Sequence, residues 1–150
     1  MSLGIDAFVA DLLKFSENNN RQPLYEEIGE ILVASIEKNF REGGRYSVGE
    51  GGEFVGGPTK WIESSRAKKQ SGKTLVDTAQ LSTSITYEAT ASGVEVGTNK
   101  IYGAIQHFGG ETGRDKSVTL LARPYLVVQD EDLEEIGYAA EAFFRRNALA

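Results

Sequence analysis

His107, the single histidine of the chain, is the side chain best suited to acid–base chemistry near neutral pH. It lies in the segment YGAIQHFGG, residues 102–110. A histidine that acts as a general base needs an orienting acid and a nucleophile, and no serine or threonine here has the glycine pattern of a nucleophile turn. The sequence contains no cysteine and no second histidine to share a metal ion. These observations favour a packing or hydrogen-bonding role for His107 over catalysis.

Two short motifs superficially resemble ligand sites. SGKT, residues 71–74, looks like the end of a phosphate-binding loop, but Ala67 stands where the pattern requires glycine, and no buried strand precedes it. Residues 130–141 place acids at several calcium-loop positions, but Glu135 occupies the position of the turn glycine. The sequence therefore predicts no cofactor and no metal site.

A basic run interrupts an acidic chain whose net charge is −6. Its members are Lys60, Arg66, Lys68, Lys69 and Lys73. The overall charge argues against a general nucleic-acid binder, which needs a basic face to neutralise phosphates. The run could still line a surface that meets DNA or an acidic partner, although a solvated face is the commoner use of such charges.

Arg123 precedes a proline in the segment ARPYL, residues 122–126. Pro124 fixes the local backbone, and a guanidinium can bind a carboxylate through two parallel hydrogen bonds. We expect an ion pair within the chain or with an adjacent subunit, rather than binding of a substrate.

The apolar spacing predicts helices at both ends of the chain. A first helix begins near Ile5, a second runs from Pro23 to the Gly43–Gly44 pair, and a short third one follows Thr59. The last helix is predicted to be capped by Asp130, with acids in its first turn and arginines in its last. The first fifteen residues are apolar on one face only, so neither a signal peptide nor a membrane span is expected.

Strands are predicted between these helices. Alternation in residues 81–89 and 94–96 indicates a hairpin, and RPYLVVQ, residues 123–129, suggests a further strand. Ile101, Ile105 and Phe108 lie at helical spacing, so Phe108 is expected to pack on the sheet and Tyr102 to anchor the same corner. The predicted fold is α+β, one domain over residues 1–150, with a small antiparallel sheet of three to four strands packed against N-terminal and C-terminal helices.

A long glycine-rich loop is predicted from Gly43 to Pro58, which contains seven glycines and no apolar periodicity. Fixing so many glycines is entropically costly, so we expect a mobile segment. Its apolar side chains could serve as anchors that become ordered on a partner: Tyr46, Val48, Phe54 and Val55.

An ordered series of weak motifs covers the last two thirds of the chain. It comprises Trp61 with lysines after it, LVDTAQLSTSI from Leu75 to Ile85, VEVGT from Val94 to Thr98, the turn containing Gln106–His107 and then Phe-Gly, and ARPYL. In order and spacing this series resembles the Mu-like phage virion morphogenesis, or tail completion, family. The family more usually has glycine where this chain has Ala79, alanine where it has Gly103, and His-Gln in place of Gln106–His107.

The resemblance implies a non-enzymatic assembly protein of a phage or prophage that acts in tail completion or head–tail joining, as a homomeric ring. The implied partners are further copies of the chain, with a hexamer as one copy number, together with tail-tube and neck or connector proteins. DNA passage through the ring lumen is a further option that the sequence leaves open. The implied location is the virion tail or neck, and the host bacterial cytoplasm during assembly, with no membrane partner.

Within this interpretation, an interface or structural corner is expected at five residues: Tyr102, His107, Phe108, Arg123 and Tyr125. Two alternatives stay open. One is a head-proximal neck connector of the same fold, and the other, of a different class, is a small-ligand-binding or hydrolytic domain centred on His107.

Overall fold

The computed structural model describes residues 20–45 and 60–148 and has an α+β fold, as predicted. The helices in these ranges are α1 (Gln22–Glu42), α2 (Ser65–Gln70), α3 (Gly103–Phe108) and α4 (Asp130–Ala148). The strands are β1 (Ile85–Ala89), β2 (Val94–Thr98), β3 (Gly110–Thr112) and β4 (Val118–Leu120). Single 3₁₀ turns occur at Ser82–Ser84 and Arg114–Lys116.

Helix α1 confirms the second predicted helix. Pro23 lies in its first turn, where a missing N–H costs no helical hydrogen bond. Gly43 ends it in the left-handed conformation with φ of 73°, and its N–H donates to the carbonyl of Asn39. The predicted helix near Ile5 and residues 46–58 of the predicted glycine-rich loop lie outside the described residues.

The strands form two separate antiparallel pairs rather than the expected single sheet. In the first pair Ile85 lies opposite Thr98 and Ala89 opposite Val94. Ile85, Tyr87 and Ala89 face inwards, so the predicted alternation is confirmed. The second pair, with Gly110 opposite Leu120, has only three residues in each strand.

The connecting segment, residues 121–129, contains no strand, so the prediction of a strand at RPYLVVQ was wrong. Its backbone is hydrogen-bonded to side chains and to backbone groups elsewhere in the chain, rather than to a neighbouring strand. Asn39 Nδ2 donates to the carbonyl of Tyr125 at 3.0 Å, and Trp61 Nε1 donates to the carbonyl of Pro124 at 3.1 Å. The N–H of Arg123 donates to the carbonyl of Gln106 at 3.0 Å. Because these bonds satisfy the buried backbone groups of the segment, it needs no hydrogen bonds to a neighbouring strand.

Helix α1 lies between two apolar clusters. The larger cluster contains Ile36, Phe40, Trp61, Leu81, Ile85 and Tyr125. The Phe40 ring packs edge-on against Trp61, with 5.6 Å between centroids, and at 5.2 Å from Tyr125. The smaller cluster joins Leu24 of α1 to Ala139 and Phe143 of α4.

Both of the other predicted helix starts need correction. Helix α2 begins at Ser65, and Ser64 caps it by accepting a hydrogen bond from the N–H of Ala67. In α4, Asp130 is the first helical residue rather than the cap, and Asp132 Oδ2 accepts from the N–H of Gln129 at 2.7 Å. That contact is the half of a capping box in which an acidic side chain reaches back to the preceding N–H.

Candidate interaction site

His107 is a hydrogen-bond acceptor in the corner between α3 and the connecting segment. Its Nδ1 atom lies 3.3 Å from the backbone N of Tyr125 and 3.4 Å from that of Leu126. The imidazole packs edge-on against the rings of Phe108 and Tyr125, with centroid distances of 4.6 and 5.2 Å. Burial lowers the pKa of His107, in keeping with a neutral ring that accepts at Nδ1.

This geometry ties His107 to the backbone rather than to a reacting centre. In residues 20–45 and 60–148 no carboxylate forms an ion pair with it, and no hydroxyl oxygen is hydrogen-bonded to it. No three potential metal ligands gather anywhere in these ranges. The contacts match the packing and hydrogen-bonding role that the sequence favours.

Tyr125 is the buried centre of the corner, with 1% of its surface exposed. The start of α3 approaches it so closely that a Cβ on Gly103 would lie 2.8 Å from the phenol oxygen. Burial, with a smaller contribution from Tyr102, raises the pKa of Tyr125. Gly103 and His107, one helical turn apart, thus form the inward face of α3.

The expectation that Phe108 and Tyr102 are buried anchors was wrong for the free chain. Phe108 is 77% exposed and Tyr102 is 42% exposed. Ile101, which was expected on the same buried stripe as Phe108, is 98% exposed. A helix of only six residues directs about one turn of residues towards the core, and in α3 these residues are Gly103 and His107.

Several large apolar side chains are exposed around this corner, and together they are called the corner surface below. It comprises large apolar residues on or beside α3 and the β3–β4 hairpin: Ile101, Tyr102, Phe108, Val118 and Leu121. Tyr102, Val118 and Leu121 also line a cleft of about 500 Å³. Large exposed apolar patches on soluble proteins commonly mark interaction sites.

Arg123 lines the same cleft and is only 7% exposed. Its Nε donates to the carbonyl of Ile62 at 3.2 Å. Among the described residues no carboxylate lies within 4.0 Å of its guanidinium. Of the two expected alternatives, the ion pair within the chain is therefore absent from these residues. Burial lowers the pKa of Arg123, as desolvation of a cation should.

Much of the basic run is engaged within the chain. Lys60 Nζ donates to the carbonyl of Glu42 at 2.8 Å, and Lys73 Nζ donates to that of Arg41 at 3.1 Å. Both ammonium groups therefore neutralise the carbonyl end of α1. Arg66 pairs with Asp77 at 3.2 Å. Lys68 and Lys69 remain as exposed charges on α2.

A buried polar network between α1 and α4 was not predicted from the sequence. Asp132 accepts from Ser35 Oγ at 2.7 Å, and Arg45 Nε donates to Asn39 Oδ1 at 2.8 Å. Arg45 also pairs with Glu131. Ser35 and Asn39 lie four residues apart on the inward face of α1, and this polar pair inside an apolar stripe was the available signal.

The predicted anchors of the glycine-rich loop, at residues 46, 48, 54 and 55, lie outside the described residues. Of the remaining predicted interface residues, the structure brings Tyr102, His107, Phe108, Arg123 and Tyr125 together around α3 and its cleft. Their participation in an interface stays a prediction.

A model of the phage virion morphogenesis family matches residues 4–144. The chain belongs to this family. It is also similar to Mu-like prophage FluMu G protein 2 of Haemophilus influenzae, at 32% identity over 126 residues, which cover 84% of this chain and 80% of that protein. No solved structure matches the chain significantly.

Family membership confirms the resemblance seen in the motif series and implies a structural or assembly role in the phage particle. It favours a structural protein over an enzyme. None of the helices in the described ranges is long and apolar enough to cross a membrane.

Proposed function

We propose that this family member acts in tail completion or head–tail joining, and that it does so as a homomeric ring. The observation that carries the proposal is the corner surface, where Phe108 and Ile101 are 77% and 98% exposed although both are strongly apolar. Burial of such side chains against a partner contributes about 25 cal/mol of favourable free energy for each Å² of apolar surface removed from water. A subunit contact at the corner would supply that cover.

A ring would give this surface a partner within the assembly. Closed rings are built from heterologous contacts, in which one face of a subunit meets a different face of the next. The corner surface would provide one of the two faces. Tail-tube and neck or connector proteins are the further partners expected of such a ring, and a hexamer is one possible copy number.

The experiment is removal of the gene from a phage or prophage, followed by electron microscopy of the particles after induction. We expect separate heads and tails, or tails with abnormal ends, and recovery of joined infectious particles when the parent chain is supplied from a plasmid. Normal yields of infectious particles without the gene would refute the proposal.

The position in the particle has an alternative, a head-proximal connector. Antibody labelling of particles that carry a tagged chain distinguishes the two positions: label at the tail end supports tail completion, and label on isolated heads supports the connector. A hydrolytic domain centred on His107 has no such support, because Nδ1 accepts from two backbone N–H groups.

A further inference from the structure

Most of the hydrogen-bonding capacity of Arg123 is unused within the described residues. Arg123 is 7% exposed, and its Nε bonds the carbonyl of Ile62. The described residues provide no hydrogen-bond partner for Nη1 or Nη2. Neither terminal nitrogen is fully buried, so both remain open to the cleft, where a carboxylate would form two charge-assisted hydrogen bonds with them. Arg123 therefore has two terminal nitrogens available to bind an anion from another molecule.

The cleft around Arg123 indicates which kind of anion would fit. Two acidic residues, Asp77 and Glu63, line the cleft, but neither forms an ion pair with Arg123. Asp77 pairs with Arg66, and Glu63 forms no ion pair with any described residue. The apolar side chains of Tyr102 and Leu121 line the same space. A cleft with an arginine at its wall and apolar groups beside it suits a carboxylate that is carried on a protein surface.

The outward face of the β1–β2 hairpin has the complementary charge. Glu88 lies directly opposite Glu95 in the strand register, and both side chains are exposed. Like charges at opposed positions destabilise a strand pair. No cation of the described residues lies within 4.0 Å of either carboxylate. A cation from another molecule would relieve this repulsion.

We propose that Arg123 of one copy binds a carboxylate of the Glu88–Glu95 pair of an adjacent copy. The proposal rests on the ring described above and assigns the two different faces that a heterologous contact requires. The planar guanidinium binds one carboxylate through two parallel bonds, and this geometry fixes the orientation of the neighbouring subunit.

The test uses two variants, each of which lacks one face. Arg123→Met removes the cation, and Glu88→Gln with Glu95→Gln removes both carboxylates at nearly constant shape. By sedimentation velocity, we expect the parent to form higher oligomers and each variant to associate roughly tenfold more weakly or worse. An equimolar mixture of the two variants retains one intact contact per pair, so it should form dimers and nothing larger.

Control measurements separate a binding role from a structural one. Arg123→Met should melt within a few degrees of the parent, because the one hydrogen bond that it loses among the described residues is that from Nε to the carbonyl of Ile62. Glu63→Gln and Arg114→Met should associate like the parent. A large drop in the melting temperature of Arg123→Met, or weakened association of Glu63→Gln, would overturn the proposal in favour of an intrachain role.

The outcomes also separate this proposal from the proposed ring. A parent that assembles while Arg123→Met assembles equally well contradicts only the Arg123 contact. A mixture of the two variants that stays monomeric contradicts the pairing with Glu88 and Glu95. A parent that remains monomeric up to roughly 1 mM contradicts both the contact and self-assembly into a ring.

Discussion

At the scale of the residue, Ala79 has a backbone conformation that alanine seldom adopts. Its φ of 57° lies in the left-handed region, which costs an L-residue roughly 1–2 kcal/mol. Its carbonyl accepts hydrogen bonds from the N–H of Thr83 and from the hydroxyls of Ser82 and Thr83, at 2.8–3.0 Å. The turn that leads into β1 is thus built on a strained residue, at the position where the family more usually has glycine.

Ala79→Gly should therefore stabilise the chain by about 0.5–1 kcal/mol, since relief of the strain exceeds the added entropy of the unfolded glycine. Urea unfolding measures the change. The matched control is Ala104→Gly on exposed α3, where φ is negative and the same exchange should cost about 0.5–1 kcal/mol. Equal losses in both variants would contradict the strain argument.

His107 should make stability depend on pH. Its pKa is lower in the folded chain than the ordinary value of about 6.5, so the neutral form is the one that folding favours. Its contribution is complete above about pH 6.5 and is lost as the pH falls through the folded-state pKa. His107→Ala should keep the fold and show a smaller loss of stability than the parent between about pH 7.5 and pH 5. Parallel pH profiles of the two proteins would refute this role.

At the scale of the element, α1 approaches the β1–β2 hairpin through a glycine. A Cβ on Gly29 would lie 2.3 Å from Cδ2 and 2.5 Å from Cγ of Tyr87. Cγ does not move when the ring turns about the Cβ–Cγ bond, so only a change of χ1 or a shift of the backbone would clear the contact. Gly29 therefore sets the distance between helix and hairpin.

Gly29→Ala should destabilise the chain by about 1–3 kcal/mol, because overpacking outweighs the better helix propensity of alanine. Gly137→Ala on α4 is the matched control, since no atom lies within 4 Å of the added Cβ there. This second exchange should stabilise by up to about 1 kcal/mol. Thermal melting of both variants checks the pair, and a stabilised Gly29→Ala protein would show that the ring moves aside.

The long elements were predictable from the sequence because each has several turns or alternations of its own. Helix α1 has its apolar stripe and its proline within 21 residues and is followed directly by the glycine pair that ends it, and β1 alternates inward and outward residues. The connecting segment was not predictable, because its backbone partners are Asn39, Trp61 and His107, which are distant in sequence. The inward face of α3 was missed because it consists of Gly103 and a histidine rather than of apolar side chains.

For the candidate site, the sequence identified Arg123 and the residues of the corner but misjudged their burial. Periodicity placed Phe108 inside, whereas the structure leaves it 77% exposed. Spacing within a short helix cannot distinguish a core face from a face that waits for a partner, since both are apolar.

At the scale of the whole molecule, Phe108→Asp should separate assembly from stability. Because the ring is exposed, the free energy of unfolding should change by about 1 kcal/mol or less, which includes the lost contact with the His107 ring. Self-association and the recovery of infectious particles should fall sharply, because a charge replaces the apolar contact. Ala142→Asp, on the exposed surface of α4, should behave like the parent in both assays. A marked loss of stability in Phe108→Asp would show that Phe108 is part of the core and contradict this prediction.

Trp61 is the only tryptophan of the chain, and it is 8% exposed between Phe40 and the connecting segment. Its indole N–H is bonded to the carbonyl of Pro124, so its surroundings change when that segment detaches from α1. The chain thus has a built-in fluorescent reporter of its own core, without labelling. A red shift of emission would record unfolding of the core around α1. Particle assembly at the corner should leave the emission maximum where it is.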